Sequence, residues 1–295
     1  MILVSITNHL TMNLEDKLGV TKDMLYGVQT TRQGKLFRTS IDAVDQFGNT
    51  LFTQLENNVV LGGSLYVLEK LFNVRSPLQV ATLNEINQIN ADSSKVSPTD
   101  PFPSDHYVCL WGVGIGGSGD AIGNVHPVNF YEREIGSKGN STEMVPFRVV
   151  DAPLTGRDAE KYFFRKSLTG GKIGYYLKTF ESKPVIKTLW GDGVDGEDGT
   201  EVTADVYNTD RQDDIEVFAE IVLHLTKREI REYFTMIGQV EKARMSTIAL
   251  CAGIKHEVSS GVYDYANVSM ITKLNFGNEM LENKEITFRY RIFTN

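Results

Sequence analysis

The residues from His106 to Gly123, HYVCLWGVGIGGSGDAIG, have the composition of a nucleotide-binding turn. A short apolar run precedes Gly112-x-Gly114-x-x-Gly117, which is the spacing of a dinucleotide site. Such a turn needs a helix directly after it, because the pyrophosphate binds at the helix N-terminus. Here the chain continues with more glycine and a proline, SGDAIGNVHPVNFYERE. We therefore predict a flexible loop between strands, whose glycines permit positive φ or close backbone approach.

A second stretch that could do chemistry is the acidic loop WGDGVDGEDGTEV, residues 190–202. Its candidate calcium ligands repeat every three residues: Asp192, Asp195 and Asp198. A helix-loop-helix calcium site instead needs ligands every two residues and a closing glutamate. The alternatives are an irregular calcium site and a solvated hairpin tip, since Gly and Asp favour turns.

No catalytic set emerges from the remaining residues. The five histidines are scattered, and Cys109 and Cys251 each lie in an apolar run, which argues against a disulfide framework or a thiolate metal site. No Lys-Ser or Lys-Thr follows the glycines as in a P-loop, and Asp120 replaces the closing glycine of a hydrolase nucleophile elbow. We expect no enzyme activity and no cofactor.

Charge is distributed in two adjacent blocks of opposite sign. Residues 157–187 hold eight bases and three acids, a net charge of +5, and residues 192–220 hold one base and eleven acids, a net charge of −10. Such blocks can pair within one chain, meet head to tail between copies, or form two solvated faces. The candidate subunit-interface residues are Arg157, Lys161, Arg165, Lys166, Asp213, Asp214 and Glu216.

Aromatic side chains interleave the basic block, a pattern that also occurs in proteins that bind single-stranded nucleic acid. The whole chain is acidic, with a net charge of −8 and a pI near 5.3, which opposes binding to a polyanion. Direct nucleic-acid binding is therefore not expected. The apolar N-terminus lacks the features of a signal peptide, and no run is long enough to span a membrane, so no membrane partner is expected.

The elements that would position these residues begin with helices and continue mainly with strands. We predict helices over 64–72 and from Pro77 to about Ile89, the latter with a Ser76–Gln79 capping box. After the proline-rich linker 93–105 we predict strands over 106–111, 128–134, 145–150 and 215–225, and a hairpin over 161–180 that turns at Gly170-Gly171.

The last third of the chain predicts a helical pair followed by two strands. Thr226 and Glu229 form a capping box, Gly238 suits a helix end, and a second helix is predicted from Val240 to Ala252. Alternating residues predict strands over 268–276 and 286–292. The expected fold is α+β and strand-rich, an antiparallel β-sandwich-like domain with a helical-pair insertion and an extended or helical N-terminal region. Its parts are an N-terminal arm and helical region, 1–92, and a mainly β domain, 106–295, with the insertion at about 227–252.

Three segments carry a family resemblance: MVPFRVVDAPLTGRDAEKYFFRKSLTGGKIGYYLKTFESKPVIKTLWGDG, EVFAEIVLHLTKREIREYF and KEITFRYRIF. They lie within Met144–Asn295, about half of the chain, which resembles virion structural proteins of tailed bacteriophages. The likeness is one of overall texture and carries no site residues. It implies a protein without enzyme activity that assembles in many copies at the head, neck or tail.

The sequence therefore favours a self-assembling virion structural protein, a ring at the head–tail junction. Its expected partners are copies of itself and portal, capsid or tail subunits, in a virion assembled in the host cytoplasm. One alternative is a capsid decoration or tail component. Another, of a different class, is a carbohydrate- or calcium-binding module.

Overall fold

A computed structural model describes residues 37–56, 58–72, 81–89, 105–115, 128, 130, 143–190, 215–280 and 284–294. The chain forms two compact units, each assembled from separate segments, whereas the division predicted from the sequence is contiguous. Unit 1 comprises Met1–Val59, Ser182–Leu223 and Thr287–Asn295, and unit 2 comprises Val60–Glu181 and His224–Ile286. The described residues form two antiparallel sheets and few helices.

Unit 1 is built on a five-stranded sheet with the order β2-β1-β13-β10-β9. The strands are β1 Phe37–Asp45, β2 Thr50–Glu56, β9 Val185–Trp190, β10 Ile215–Leu225 and β13 Ile286–Thr294, and a two-residue strand, β3 Asn58–Val59, follows β2. Leu189, Phe218 and Phe293 form an apolar cluster on this sheet, with the two phenyl centroids 4.8 Å apart. The edge strands are β2 and β9, so within the described sheet β9 pairs only with β10.

Unit 2 is built on a larger sheet in which β12-β11-β4-β8-β6 are consecutive neighbours, β5 pairs with β4 and β7 pairs with β8. Its strands are β4 Tyr107–Ile115, β5 Glu143–Val145, β6 Arg148–Val150, β7 Tyr162–Ser167, β8 Ile173–Thr179, β11 Arg244–Ser259 and β12 Val262–Met280. Its helices are α1 Leu61–Phe72, α2 Leu83–Asn87, α3 Gly156–Ala159 and α4 Arg231–Met236, with 3-10 turns at Thr169–Gly171 and Val240–Lys242. Aromatic and aliphatic side chains from β4, β7, β8, β11 and β12 form its core.

Several predicted elements are confirmed. Strand β10 has the predicted bounds, and β12 and β13 contain the two predicted C-terminal strands. The hairpin β7–β8 turns at Gly170 and Gly171, which take φ values of 75° and 74°. Both values lie in the left-handed region that glycine adopts without steric cost, which is why this pair marks the turn.

The second predicted helix, Val240–Ala252, is wrong, because the chain forms β11 from Arg244. This strand is buried without interruption from Met245 to Gly253, so both of its faces are covered, while β12 and β4 pair with its two edges. A strand buried on both faces loses the apolar–polar alternation that identifies strands, and its apolar run resembles a buried helix. The helical pair is in fact the short helix α4 and a 3-10 turn.

The glycine stretch is also corrected over Gly112 and Gly114, which lie inside strand β4. A Cβ atom at Gly112 would lie 3.0 Å from Leu177 Cδ2 and 3.1 Å from Met144 Cε. Gly112 therefore allows these side chains to pack closely against the backbone of β4. The rest of the predicted loop, and all of the predicted strand 128–134 except residues 128 and 130, lie outside the described residues.

The N-terminal region differs from the predicted arm, because β1 and β2 form a hairpin in the unit 1 sheet with Ile41 and Ala43 buried. Helix α1 confirms the helix predicted over 64–72. The next helix is shorter than predicted, because the capping box joins Thr82 and Glu85 and the helix ends at Gln88 in a left-handed conformation. The predicted Ser76–Gln79 cap lies outside the described residues.

Candidate interaction site

Two of the candidate interface residues are paired inside their own unit. Lys161 Nζ lies 2.6 Å from Glu181 Oε1 in unit 2, and Glu216 Oε1 lies 3.0 Å from Arg38 NH2 in unit 1. Asp213 and Asp214 lie outside the described residues, and so do the calcium candidates Asp192, Asp195 and Asp198. Among the described residues the two charge blocks meet instead in unit 1, where Lys187 Nζ lies 2.8 Å from Glu220 Oε1.

The other three candidates differ in exposure. Arg157 is exposed on α3, and no described carboxylate lies within ion-pair distance of it or of the half-buried Arg165. Lys166 Nζ lies 3.5 Å from the Asn87 carbonyl oxygen, and burial lowers the pKa of this lysine. Of these three residues, Arg157 has the side chain best placed to meet another molecule.

Lys178 forms the centre of a buried charge network that the sequence did not predict. It lies on β8 between Trp111 of β4 and Tyr162 of β7, and its side chain has no exposed surface. Its Nζ lies 2.9 Å from Glu229 Oε1 and 3.0 Å from Glu181 Oε1, and donates to the His224 carbonyl at 2.5 Å. Two carboxylates and a carbonyl thus compensate the desolvation of one ammonium group.

Glu229 joins this lysine to the start of helix α4. Its Oε1 accepts a 2.5 Å hydrogen bond from Tyr162 Oη, and its Oε2 accepts one at 2.7 Å from the Thr226 N–H. This Thr226–Glu229 contact is one of the two contacts of the predicted capping box, but no helix begins at Thr226, since α4 begins only at Arg231, after Ile230 at φ 69°. Burial and the neighbouring Glu229 carboxylate raise the pKa of Tyr162, so this phenol stays protonated.

Arg148 extends the network on the other side of Tyr162. Its guanidinium lies 5.4 Å from the Tyr162 ring centroid, with NH1 2.6 Å from Asp158 Oδ2 and Nε 3.0 Å from Glu232 Oε2. Glu232 also accepts from the Val149 N–H at 2.9 Å and from Arg228 Nε at 2.7 Å. Each charge therefore has a partner of opposite sign, and β6, β8, α3 and α4 are held together.

A cavity of about 360 Å³ lies beside this network on unit 2. We call it the basic pocket, because three cations and one carboxylate line it. Its lining residues are Val149, Lys172, Arg228, Arg231, Glu232, Thr235 and Met236. The Arg228 side chain is 67% exposed, and Lys172 pairs with Asp151 at 2.7 Å. These cations are open to solvent, unlike Lys178.

Unit 1 exposes large apolar side chains from ordered elements. Phe47, in the β1–β2 turn, is 80% exposed, and Val185 and Ile186 of the edge strand β9 are 56% and 68% exposed. The Asp45 carboxylate fixes the turn by accepting from the Phe47 and Asn49 N–H groups and from Asn49 Nδ2, each at 2.9 Å. The turn therefore holds a hydrophobic ring in water.

The chain has no match among protein-family models, curated proteins or solved structures.

The buried network is suited to stabilising the fold of unit 2 rather than to a chemical reaction, because its acidic and basic side chains pair with one another and Lys178 is inaccessible to solvent. The described residues contain no group of three or more His, Cys, Asp or Glu side chains placed to hold a metal ion. They also contain no helix with the length and apolar character of a membrane span. Among the described residues, the features that can meet another molecule include the basic pocket and the exposed apolar side chains of unit 1.

Proposed function

We propose that the chain is a non-enzymatic structural protein of a tailed-bacteriophage virion, and that its copies assemble into a ring at the head–tail junction. The resemblance of residues 144–295 to such proteins supports this proposal. In the proposed ring, the chain contacts copies of itself and portal, capsid or tail subunits of the virion. A β-sandwich-like packing of strands completes the proposed architecture.

The observation that carries the proposal is the exposed ring of Phe47 on a turn whose backbone is held by Asp45. Burying one phenylalanine side chain is worth roughly 1.5–3 kcal/mol, so its exposure forgoes that stabilisation in the isolated chain. Aromatic anchors that are rigid before binding are typical of interface hot spots, because little conformational entropy remains to be lost. The hydrogen bonds to Asp45 restrain the backbone of the turn that carries the ring.

The edge strand β9 offers a second contact in unit 1. Its outer side has no partner strand among the described residues, and a strand edge with exposed Val and Ile side chains can pair with another chain. Pairing there would bury the side chains and satisfy the free backbone groups together. In a head-to-tail assembly, each identical copy uses such a surface once to contact its neighbour. The assembly is a closed ring when the rotation from copy to copy returns to the first copy.

Light scattering of the purified protein over a range of concentrations tests the proposal. We expect a discrete oligomer for the wild type and a much lower mass for Phe47→Ala. Tyr263→Ala is the matched control, because it removes another exposed aromatic ring, from the β11–β12 turn region of unit 2. A wild type that stays monomeric, or a Phe47→Ala variant with unchanged mass, would contradict the argument. Copy number per virion separates a ring from a capsid decoration or tail component.

A further inference from the structure

We propose that the basic pocket binds carboxylate side chains of the acidic segment 191–214 of a second copy of this chain. This inference rests on the self-assembly proposed above and names the contact that would set its register. It concerns a pocket within unit 2 and a segment that connects β9 to β10.

The pocket is built to present Arg228 in a fixed orientation. Arg228 Nε donates to Glu232 Oε1 at 2.7 Å, and Glu232 is itself held by Arg148 Nε at 3.0 Å and by the Val149 N–H at 2.9 Å. The buried Arg148 therefore fixes the carboxylate that positions Arg228. A guanidinium held through Nε keeps its terminal N–H groups for a second carboxylate, which it can bind in a bidentate manner.

The lysine of the pocket has a partner that an incoming carboxylate can replace. Lys172 Nζ pairs with Asp151 Oδ1 at 2.7 Å, but the Asp151 side chain is 86% exposed. Exposed pairs of this kind are worth about 0–1 kcal/mol, so exchanging one carboxylate for another has little cost. Arg231 adds a third cation to the lining, against Glu232 as the only acid.

The segment 191–214 is the strongest source of negative charge in the chain. It holds nine acids and one base, a net charge of −8, which equals the net charge of the whole protein. The rest of the chain is therefore balanced, with 29 bases and 29 acids. The carboxylates of this segment complement the three cations that line the pocket, and charge complementarity therefore makes the segment of a second copy the occupant that we propose.

The first measurement uses a synthetic peptide of residues 191–214 and a full-length host in which the acids of its own segment are changed to Asn or Gln. Fluorescence polarisation of the labelled peptide gives its Kd. We expect Arg228→Gln/Arg231→Gln to weaken binding by about tenfold or more, since charged contacts dominate it. Lys227→Gln/Lys242→Gln is the matched control, because it removes two exposed lysines that do not line the pocket and should leave Kd within about twofold.

The second measurement is the mass of the native assembly by light scattering, with Trp111 fluorescence confirming that each variant is folded. We expect Arg228→Gln/Arg231→Gln and the neutral-segment variant to lower the mass, and the lysine control to leave it unchanged. Equal peptide binding by the pocket variant and its control would overturn the inference. An oligomer that persists in the pocket variant, while Phe47→Ala dissociates it, would overturn this inference alone. A wild type that is monomeric throughout would overturn both proposals.

Discussion

The costs of neutralising Lys178 alone and Glu229 alone should add up to more than the cost of neutralising both residues of this buried pair in unit 2. Lys178 Nζ has no exposed surface and contacts Glu229, Glu181 and the His224 carbonyl at 2.5–3.0 Å. Leaving one member of a buried ion pair uncompensated costs about 3–5 kcal/mol. Glu229→Gln keeps two of the three lysine contacts, so its expected cost is about 3 kcal/mol, at the lower end of this range.

Lys178→Met leaves the Glu229 carboxylate buried without its nearest cation, although the Thr226 N–H and Tyr162 Oη still donate to it. We expect a cost of about 4 kcal/mol for this change. The double variant Lys178→Met/Glu229→Gln leaves no unpaired charge, so its cost should not exceed that of Lys178→Met alone, about 4 kcal/mol. The coupling energy of the cycle is then about 3 kcal/mol or more, at the top of the range for residues in direct contact.

Urea unfolding followed by Trp111 fluorescence measures these costs in unit 2. A Trp190→Phe background removes the signal of the other tryptophan, which lies in unit 1. A loss of 3 kcal/mol should lower the urea midpoint by about 1–3 M with an unchanged slope. The exposed pair Lys172–Asp151 is the control, and neutralising it should cost less than about 1 kcal/mol. Single costs that add within about 0.5 kcal/mol would refute the reasoning.

Two further predictions concern close packing and pH. Gly63→Ala should lower the urea midpoint strongly, because its Cβ would overlap the Ile271 carbonyl oxygen, a backbone atom. Ser64→Ala, on the exposed face of α1, is the control and should be nearly neutral. Burial tends to raise the pKa of Glu220, but Lys187, Arg291 and Arg289 outweigh it and hold the pKa below its ordinary 4.5. A lowered folded-state pKa gives stability that is present above pH 4.5 and is lost as the pH falls through the folded value. Glu220→Gln should therefore flatten the fall of the thermal midpoint between pH 6 and pH 3, and a slope as steep as that of the wild type would contradict this.

The sequence predicts the strands whose apolar and polar residues alternate, and it mistakes β11, which is buried on both faces, for a helix. β10, β12 and β13 alternate, and the β7–β8 turn has two glycines, so periodicity and turn chemistry are enough to place them. β11 lies between two neighbouring strands, and its apolar run matches a helix equally well. Gly112 resembles part of a phosphate loop because sequence spacing does not show that Leu177 and Met144 lie against its Cα.

The charge network shows why the sequence alone identifies candidate interface residues only in part. A count over residues 157–187 treats every lysine alike, but Lys178 and Lys161 are paired with acids inside unit 2, while Arg157 is exposed. The one available signal was the position of Lys178 within the apolar run GYYLKTF, where a lysine needs a buried partner.

That partner, Glu229, lies 51 residues further along the chain, and the sequence pattern predicts only its contact with Thr226 and not its contact with Lys178. The same network fixes Glu232, and through it the orientation of Arg228 at the basic pocket. Neutralising Arg148, which the described residues place outside the pocket lining, should therefore weaken binding of the 191–214 peptide even though Arg148 need not contact it. The buried charges stabilise unit 2, and through Glu232 they position the exposed Arg228, which can bind a second chain.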